Sequence, residues 1–285
     1  MKLVVTGGSG FLGGFVLRDA VRRGYEVVAL ARSPAAAAAV RALGAQPVHG
    51  DLAGRGPAAA TALAQAFASG DVLVNLASRG FGDAPTIVAA AEQAQVRGAV
   101  FVATTALPPA TRQLELAAEQ VIEESALDWT ILRPTMIYGA PGDRNLSRLL
   151  PLLRRVPVLP VPGGARLQQP VHVGDVAHAV LAAAELISAD LTSADLAGAD
   201  AKPGGVTYDL AGPVPLTFDE LLRTAGRAVG SRTRFIPVPL PPVLVPQLAE
   251  GKAFAVHAAA RDLGFAPRSF ADGIRSEARA LGLAA

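Results

Sequence analysis

Gly7, Gly10 and Gly13 stand three residues apart, directly after the apolar run Leu3-Val4-Val5-Thr6 and directly before the helix-period segment Phe11–Val21. Each glycine meets a separate need of a phosphate-binding turn. Gly7 lets the chain turn sharply off a strand. Gly10 lets the backbone approach a pyrophosphate with no Cβ in the way. Gly13 lets the following helix pack close to the sheet. The helix N-terminus then offers unpaired N–H groups and a partial positive charge to the phosphates. Strand, glycine turn and helix in this order predict the entrance of a dinucleotide-binding βαβ unit. Two other glycine motifs do not fit. A nucleophile elbow needs glycine where Phe11 stands, and a P-loop needs Gly-Lys-Ser/Thr where the chain has Gly13-Gly14-Phe15.

Other residues carry chemistry less specifically. Arg32 and Ser33 follow the second apolar run, Val27-Val28-Ala29-Leu30. Ala31 occupies the place where an NAD-preferring unit puts a carboxylate for the ribose hydroxyls. An arginine beside it can pair with a 2′-phosphate, so NADP is expected over NAD. The alternative is an ordinary exposed strand-end arginine with weak selectivity. His172, Asp175 and His178 have the residue types of a metal site, but a six-residue step on a helix turns through about 240°. The two imidazoles therefore diverge; no metal is expected, and Asp175 reads as a helix cap. Arg144, Arg148, Arg154, Arg155 and Arg166 crowd a proline-rich stretch. They read first as a solvated helix face and second as a patch for an anionic substrate.

Positioning these residues takes an alternation of strands and helices. Short apolar runs at Leu3–Thr6, Glu26–Ala31, Ala45–His49, Val72–Asn75, Ala99–Thr104 and Trp129–Leu132 alternate with helical patterns. One of these, Leu114–Ser125, has Leu114, Ala117, Ala118, Val121 and Ile122 on its apolar face. This pattern predicts an α/β fold with a doubly wound parallel sheet. After Pro134 the character changes. Helices are expected at Leu146–Arg155, at Asp175–Ile187 and after a threonine cap at Thr217, strands at Val171–Val173, Thr207–Leu210 and Arg234–Val238, and two helices at the end. Ser188–Gly205, with Ser-Ala-Asp-Leu twice, reads as a polar loop. Net charge is +2 with no long basic run, so no nucleic-acid partner is expected. No apolar run approaches the ~18 residues of a membrane span. With a strand and the glycine turn at its start, no signal peptide is expected, and there is no cysteine. A cytoplasmic location is the expectation.

Six stretches, TGGSGFLGG from Thr6, GDL from Gly50, NLA from Asn75, LRPTMIYG from Leu132, VHVGDVA from Val171 and YDLAG from Tyr208, occur in an order that resembles the short-chain dehydrogenase/reductase superfamily, in its extended or atypical branch. Within it the chain is similar to NAD(P)-binding families related to nitrogen-metabolite regulators and to a respiratory complex I accessory subunit. The resemblance implies a Rossmann sheet of about seven strands with a small C-terminal substrate lobe. It assigns 1–138 and 171–212 to the Rossmann domain and 139–170 and 213–285 to the lobe. It places Gly7, Ser9, Gly10, Phe11 and Leu12 against the pyrophosphate, and Asp51 and Leu52 beside the adenine. Leu76, Ala77 and Ser78 would line the dinucleotide. Thr104, Pro134, Thr135 and Met136 would lie near the nicotinamide. Asp51 alone would read as a strand-end turn residue.

The chain departs from the family at its usual catalytic pair, Tyr-x-x-x-Lys. Four residues after Tyr25, Tyr138 and Tyr208 stand Ala29, Gly142 and Gly212, and the lysines are Lys2, Lys202 and Lys252. The family's tyrosine falls at Thr111 and its lysine at Glu115, which cannot perform the same acid–base work. Three functions follow. The first is an NADP-dependent oxidoreductase acting on a small apolar carbonyl or quinone-like substrate, with Thr105, Arg112 and Tyr138 as substrate-side candidates. The second is a non-catalytic dinucleotide-binding sensor or assembly subunit. The third is a sugar-nucleotide epimerase or dehydratase, against which the missing pair counts most.

Overall fold

Runs of Val, Leu and Ala with no polar alternation form strands only when both faces are covered, and the structure places them so: Leu3, Val4 and Val5 are 0% exposed. The computed structural model describes every residue except 69, 78–82, 97, 106–108, 140–141, 144–145, 198–204, 239–252 and 285. Along the first part of the chain lie β1 (Lys2–Thr6), α1 (Phe11–Arg22), β2 (Glu26–Ala31), α2 (Pro34–Ala42), β3 (Gln46–His49), α3 (Pro57–Phe67), β4 (Val72–Asn75), α4 (Ala84–Gln93), β5 (Gly98–Val102), α5 (Pro109–Glu123) and β6 (Asp128–Pro134). There follow β7 (Ile137–Tyr138), α6 (Leu146–Arg155), β8 (Val158–Pro162), β9 (Leu167–Gln168), β10 (Val171–His172), α7 (Val173–Ala197), β11 (Val206–Leu210), β12 (Leu216–Thr217), α8 (Phe218–Ala228), β13 (Arg234–Val238), α9 (His257–Leu263) and α10 (Phe270–Ala280).

The central sheet has seven strands in the order β11-β6-β5-β4-β1-β2-β3. From β3 through β6 every neighbouring pair is parallel. The chain winds outward from β1 to β3, then returns to β4 beside β1 and winds the other way. This is the doubly wound α/β arrangement expected. The reversal between β1 and β4 creates a crevice at the carboxyl ends of those strands, where such sheets bind ligands.

The chain divides into two compact units. The first comprises Met1–Thr104, Pro109–Arg133 and Ala177–Tyr208. Its core joins strand residues such as Leu73, Phe101 and Ile131 to Leu63, Phe67 and Ile87 from the helices. The second comprises Thr105–Pro108, Pro134–Val176 and Asp209–Ala285. Three two-stranded sheets form within it: β7 with β10 and β8 with β13, both parallel, and β9 with β12, antiparallel. Its core gathers Tyr138, Leu150, Leu153, Leu221, Phe270 and Ile274. Thr217 starts α8 through a capping box: its hydroxyl accepts the Glu220 N–H at 3.2 Å, while the Glu220 carboxylate accepts the Thr217 N–H at 2.8 Å.

Several expectations change. The loop read at Ser188–Gly205 is helix as far as Ala197. Glycine and proline are absent from 188–197, and alanine and leucine carry the helix through the polar repeats. The two-residue strands β7, β9 and β12 are too short for a periodic signal, whereas β10 falls where Val171–Val173 reads as a strand. Asp175 lies inside the first turn of α7 and is taken up by Arg268, whose Nη2 lies 2.7 Å from its Oδ1.

Gly273 lets α10 approach Tyr138, since a Cβ there would lie 2.0 Å from the phenol oxygen. Gly273→Ala is therefore expected to cost about 2–3 kcal/mol in chemical denaturation. Tyr138→Phe in the same chain should recover part of the loss. No recovery would show that the oxygen is not what limits the approach.

Candidate functional site

The glycine turn closes on itself at the end of β1. Gly7 has φ +71°, and the Gly10 N–H donates to the Gly7 carbonyl at 2.9 Å. A Cβ on Gly7 would lie 2.9 Å from the Ala77 nitrogen, so the turn presses against the segment after β4. A Cβ on Gly13 would lie 2.2 Å from the Gly7 oxygen and 2.7 Å from Gly8 Cα. Gly13 thus admits the turn itself, which is a closer approach than the sheet contact expected of it. It is Gly8 whose Cβ would meet the sheet, 3.1 Å from Ala29.

Helix α1 starts with Gly10 as its cap, with no side chain capping it and no acidic residue in the first turn. Its leading N–H groups and the positive end of its dipole are left for an anion. Ser9 and Gly10 are exposed there, with Phe11 and Leu12 half-buried behind them. A pyrophosphate fits this cradle, because the atoms a side chain would occupy are absent and N–H donors converge on it.

The other expected cofactor residues differ in exposure and in the partners they already have. Arg32 is exposed just beyond β2, and Ser33 caps α2 by accepting the Ala36 N–H at 3.2 Å. Asp51 is exposed and accepts the Ala53 N–H at 3.0 Å, the turn role its type suggests. Leu52 packs into the first unit's core at 6% exposure. Leu76 and Ala77 are half-buried after β4; Ser78 lies outside the described residues. In the second unit, Pro134 and Thr135 are buried, the Thr135 hydroxyl donating to the Gln169 carbonyl at 2.5 Å, and Met136 packs on that unit's core.

Where the family's lysine falls, the structure places a buried carboxyl. Glu115 is 8% exposed and accepts the Thr104 N–H at 3.2 Å, just past β5. Burial raises its pKa, the Thr104 bond opposes that, Glu119 adds to it, and Arg133 and Arg112 oppose it. One turn along, Glu119 receives Arg133 in a two-pronged pair, Nε to Oε1 at 2.8 Å and Nη2 to Oε2. The buried face of α5 is thus Glu115, Ala118, Glu119 and Ile122, while Leu114 and Ala117 of the expected apolar face are exposed. Arg112 is exposed on the same helix. Thr105, in the second unit, donates its N–H and its hydroxyl to the Pro134 carbonyl at 3.2 and 3.3 Å.

Tyr138, expected to offer its ring or hydroxyl to a substrate, is 0% exposed. Its ring packs edge-on against His172 and Phe270 at centroid distances of 5.4 and 5.3 Å. Burial pushes the phenol upward and pulls His172 down to about 4. Neither group is poised for acid–base work near neutral pH. Of the arginine cluster, Arg148, Arg154 and Arg155 are exposed on α6, the solvated face expected, whereas Arg166 lies outside any helix and is half-buried. Arg144 lies outside the described residues. Three further buried carboxyls belong to no motif in the sequence: Asp83, whose Oδ2 has no partner among the described residues, Asp143, and Glu277 on α10. The only signal for Glu277 is an acid at helical spacing from Phe270, Gly273 and Ile274.

A doubly wound sheet with an uncapped glycine-turn helix at its switch point defines a dinucleotide-binding protein. Comparison with known proteins makes the assignment specific. A family model described as NAD(P)H-binding matches residues 7–185. A Stigmatella aurantiaca protein, 4-hydroxy-2-methyl-3-oxo-4-farnesyl-3,4-dihydroquinoline-1-oxide ketoreductase, is 31% identical, the match covering 78% of this chain and 71% of that protein. Ceramide reductase of Caulobacter vibrioides is 28% identical over 85% of this chain and 75% of its own length. Among solved structures, UDP-glucose-4-epimerase from Stenotrophomonas maltophila with bound NAD superposes with a TM-score of 0.78, covering 99% of this chain and 98% of that one. At 19% identity that likeness shows the fold alone. The chain belongs to the NAD(P)H-binding family, as an atypical member of the short-chain dehydrogenase/reductase superfamily.

Proposed function

We propose that the protein is an NADP-dependent oxidoreductase that reduces a carbonyl on a largely apolar, quinone-like or lipid-like molecule without the Tyr–Lys pair. The observation that carries this reading is an uncapped glycine turn at the start of α1 together with a buried Glu115 where the family has its lysine. The cofactor can be held, but the usual proton machinery is absent. Both reductases above act, by their names, on carbonyl or ceramide compounds, in keeping with such a substrate. The nicotinamide, when bound, supplies the hydride. The glycine turn and α1 hold the pyrophosphate, and Arg32 holds the 2′-phosphate. Thr104 hydrogen-bonds and orients the carbonyl, and water or a group on the substrate supplies the proton. Epimerisation of a sugar nucleotide is not expected, since it begins with a hydride removal that the absent pair would assist.

Two measurements test the reading. Purified protein should oxidise NADPH, followed by absorbance, when given apolar ketones or quinones and not when given UDP-sugars. Turnover of UDP-glucose would overturn it. Silence with every carbonyl, alongside tight NADPH binding, would favour the dinucleotide-holding subunit instead. For the cofactor, Arg32→Ala should weaken NADPH about 10- to 100-fold, the size of one or two charge-assisted hydrogen bonds, and leave NADH nearly unchanged. NADH binding as tight as NADPH in the parent protein would sink the preference.

A further inference from the structure

The second unit contains a cleft of about 610 Å³, within the usual range for small-molecule sites. Its walls include Val161, Ala165, Arg166, Asp219, Pro237 and Val238. Strands β8 and β13 run parallel, with Val161 opposite Pro237 and Pro162 opposite Val238, so both deliver their carboxyl ends to it.

Arg166 is fixed at the edge of this cleft. Its N–H donates to the Gly163 carbonyl at 3.0 Å, and its own carbonyl accepts the Phe218 N–H at 2.8 Å. A Cβ on Gly163, whose φ is +63°, would sit 3.2 Å from Arg166 Cδ and Nε, so the side chain lies across a glycine that leaves it room. Its Nη1 is buried and meets no hydrogen-bond partner among the described residues. A guanidinium stays charged at every accessible pH, and a buried donor left unmatched is destabilising. The carboxylate in the cleft does not answer it: Asp219 is held by Arg223, Oδ2 to Nε at 2.5 Å. Arg166 therefore has no ion-pair partner among the described residues, while Val161, Pro237 and Val238 give the cleft an apolar side.

We propose that this cleft binds a small oxyanion carried on an apolar body, a carboxylate or a phosphate ester, with Arg166 receiving the anionic head and Val161, Pro237 and Val238 packing the remainder. Arg166 is here a binding residue. The proposal does not depend on the activity proposed above.

Calorimetric titration tests it, with NADPH present at saturation so that the glycine turn is already filled. The probes are benzoate, phenyl phosphate, neutral benzamide and inorganic phosphate. Benzoate or phenyl phosphate should bind with a Kd between about 10 µM and 1 mM, at least about tenfold more tightly than benzamide or inorganic phosphate. Tighter benzoate identifies a carboxylic acid and tighter phenyl phosphate a phosphate ester; either sustains the proposal. Arg166→Met should abolish the preference for the anion. Ala165→Trp, at an exposed position, should block binding by filling the cleft while leaving the folded spectrum and the thermal midpoint unchanged, which guards against misfolding of the arginine variant. Equal binding of benzamide, equal binding by both variants, binding of inorganic phosphate alone, or no heat with any probe at about 10 mM overturns the proposal.

Discussion

Glu277→Gln is expected to stabilise the protein at pH 8 by about 2–4 kcal/mol and to leave it nearly unchanged at pH 4. Glu277 is 1% exposed, and neither carboxylate oxygen meets a donor in good geometry among the described residues. Burial, and then the neighbouring Asp143, raise its pKa from 4.5 to about 8. Below pH 4.5 the carboxyl is protonated in both folded and unfolded chains and imposes no penalty. Between 4.5 and 8 the folded chain holds a proton that the unfolded chain has released, so stability falls as pH rises, by up to about 1.4 kcal/mol per unit. Above 8 both are ionised and the loss is complete. Glutamine keeps the shape, cannot ionise, and can donate to Asp143. Urea midpoints at pH 4, 6 and 8 should diverge steadily between parent and variant. His172 acts in the opposite sense: held neutral down to about 4, it reduces stability as pH falls below its ordinary 6.5. The variant should therefore lose the Glu277 limb and keep this acid limb, together with the fall toward higher pH that Glu115, also raised by burial, contributes. Parallel pH profiles for the two proteins would show that Glu277 is not the group responsible.

Gly13→Ala should weaken NADPH binding by at least about 100-fold, roughly 3 kcal/mol, and lower the thermal midpoint as well. The added methyl would meet Gly7 oxygen and Gly8 Cα, both backbone atoms, at 2.2 and 2.7 Å. No rotamer change relieves such a clash; the turn or the helix must shift. Gly10→Ala provides the contrast. Its Cβ would meet only the Gly7 oxygen, at 3.1 Å. It should therefore impair phosphate binding while leaving the ligand-free midpoint close to that of the parent. Normal NADPH affinity in both variants would mean that the cofactor phosphates lie elsewhere.

The sheet and the glycine turn were legible because each depends on neighbours in sequence. A buried parallel strand is a run of Val, Leu and Ala, and the turn's glycines lie within seven residues of one another. The threonine cap of α8 could be read for the same reason. What could not be read depends on partners far along the chain. On α5, hydrophobicity pointed to Leu114 and Ala117, but Arg133 and the Thr104 amide draw Glu115 and Glu119 inward, turning the buried face by about one position. Tyr138 suggested a site residue until β7 paired with β10, 34 residues away, and α10 closed over it at Gly273. Arg166 looked like one more solvated arginine, because the strands that form its cleft, β8 and β13, meet only in three dimensions. The family's catalytic positions could be checked in sequence, yet the consequence of a carboxyl at Glu115 required knowing that it is buried.

The pairing of β8 with β13 also bears on how the folded protein avoids sticking to itself. A two-stranded sheet is all edge, and Val158 and Ile236 expose apolar surface on it. Such an edge is a template on which a strand of another chain can dock and start a growing aggregate. Pro160 and Pro162 lie two residues apart on β8, so their nitrogens face the same edge, and neither carries a hydrogen to donate. Along that edge an incoming strand finds carbonyls without the alternating donors that a ladder needs. The prolines that crowd this region thus act as a guard, ending the sheet at two strands and keeping its apolar surface from recruiting more.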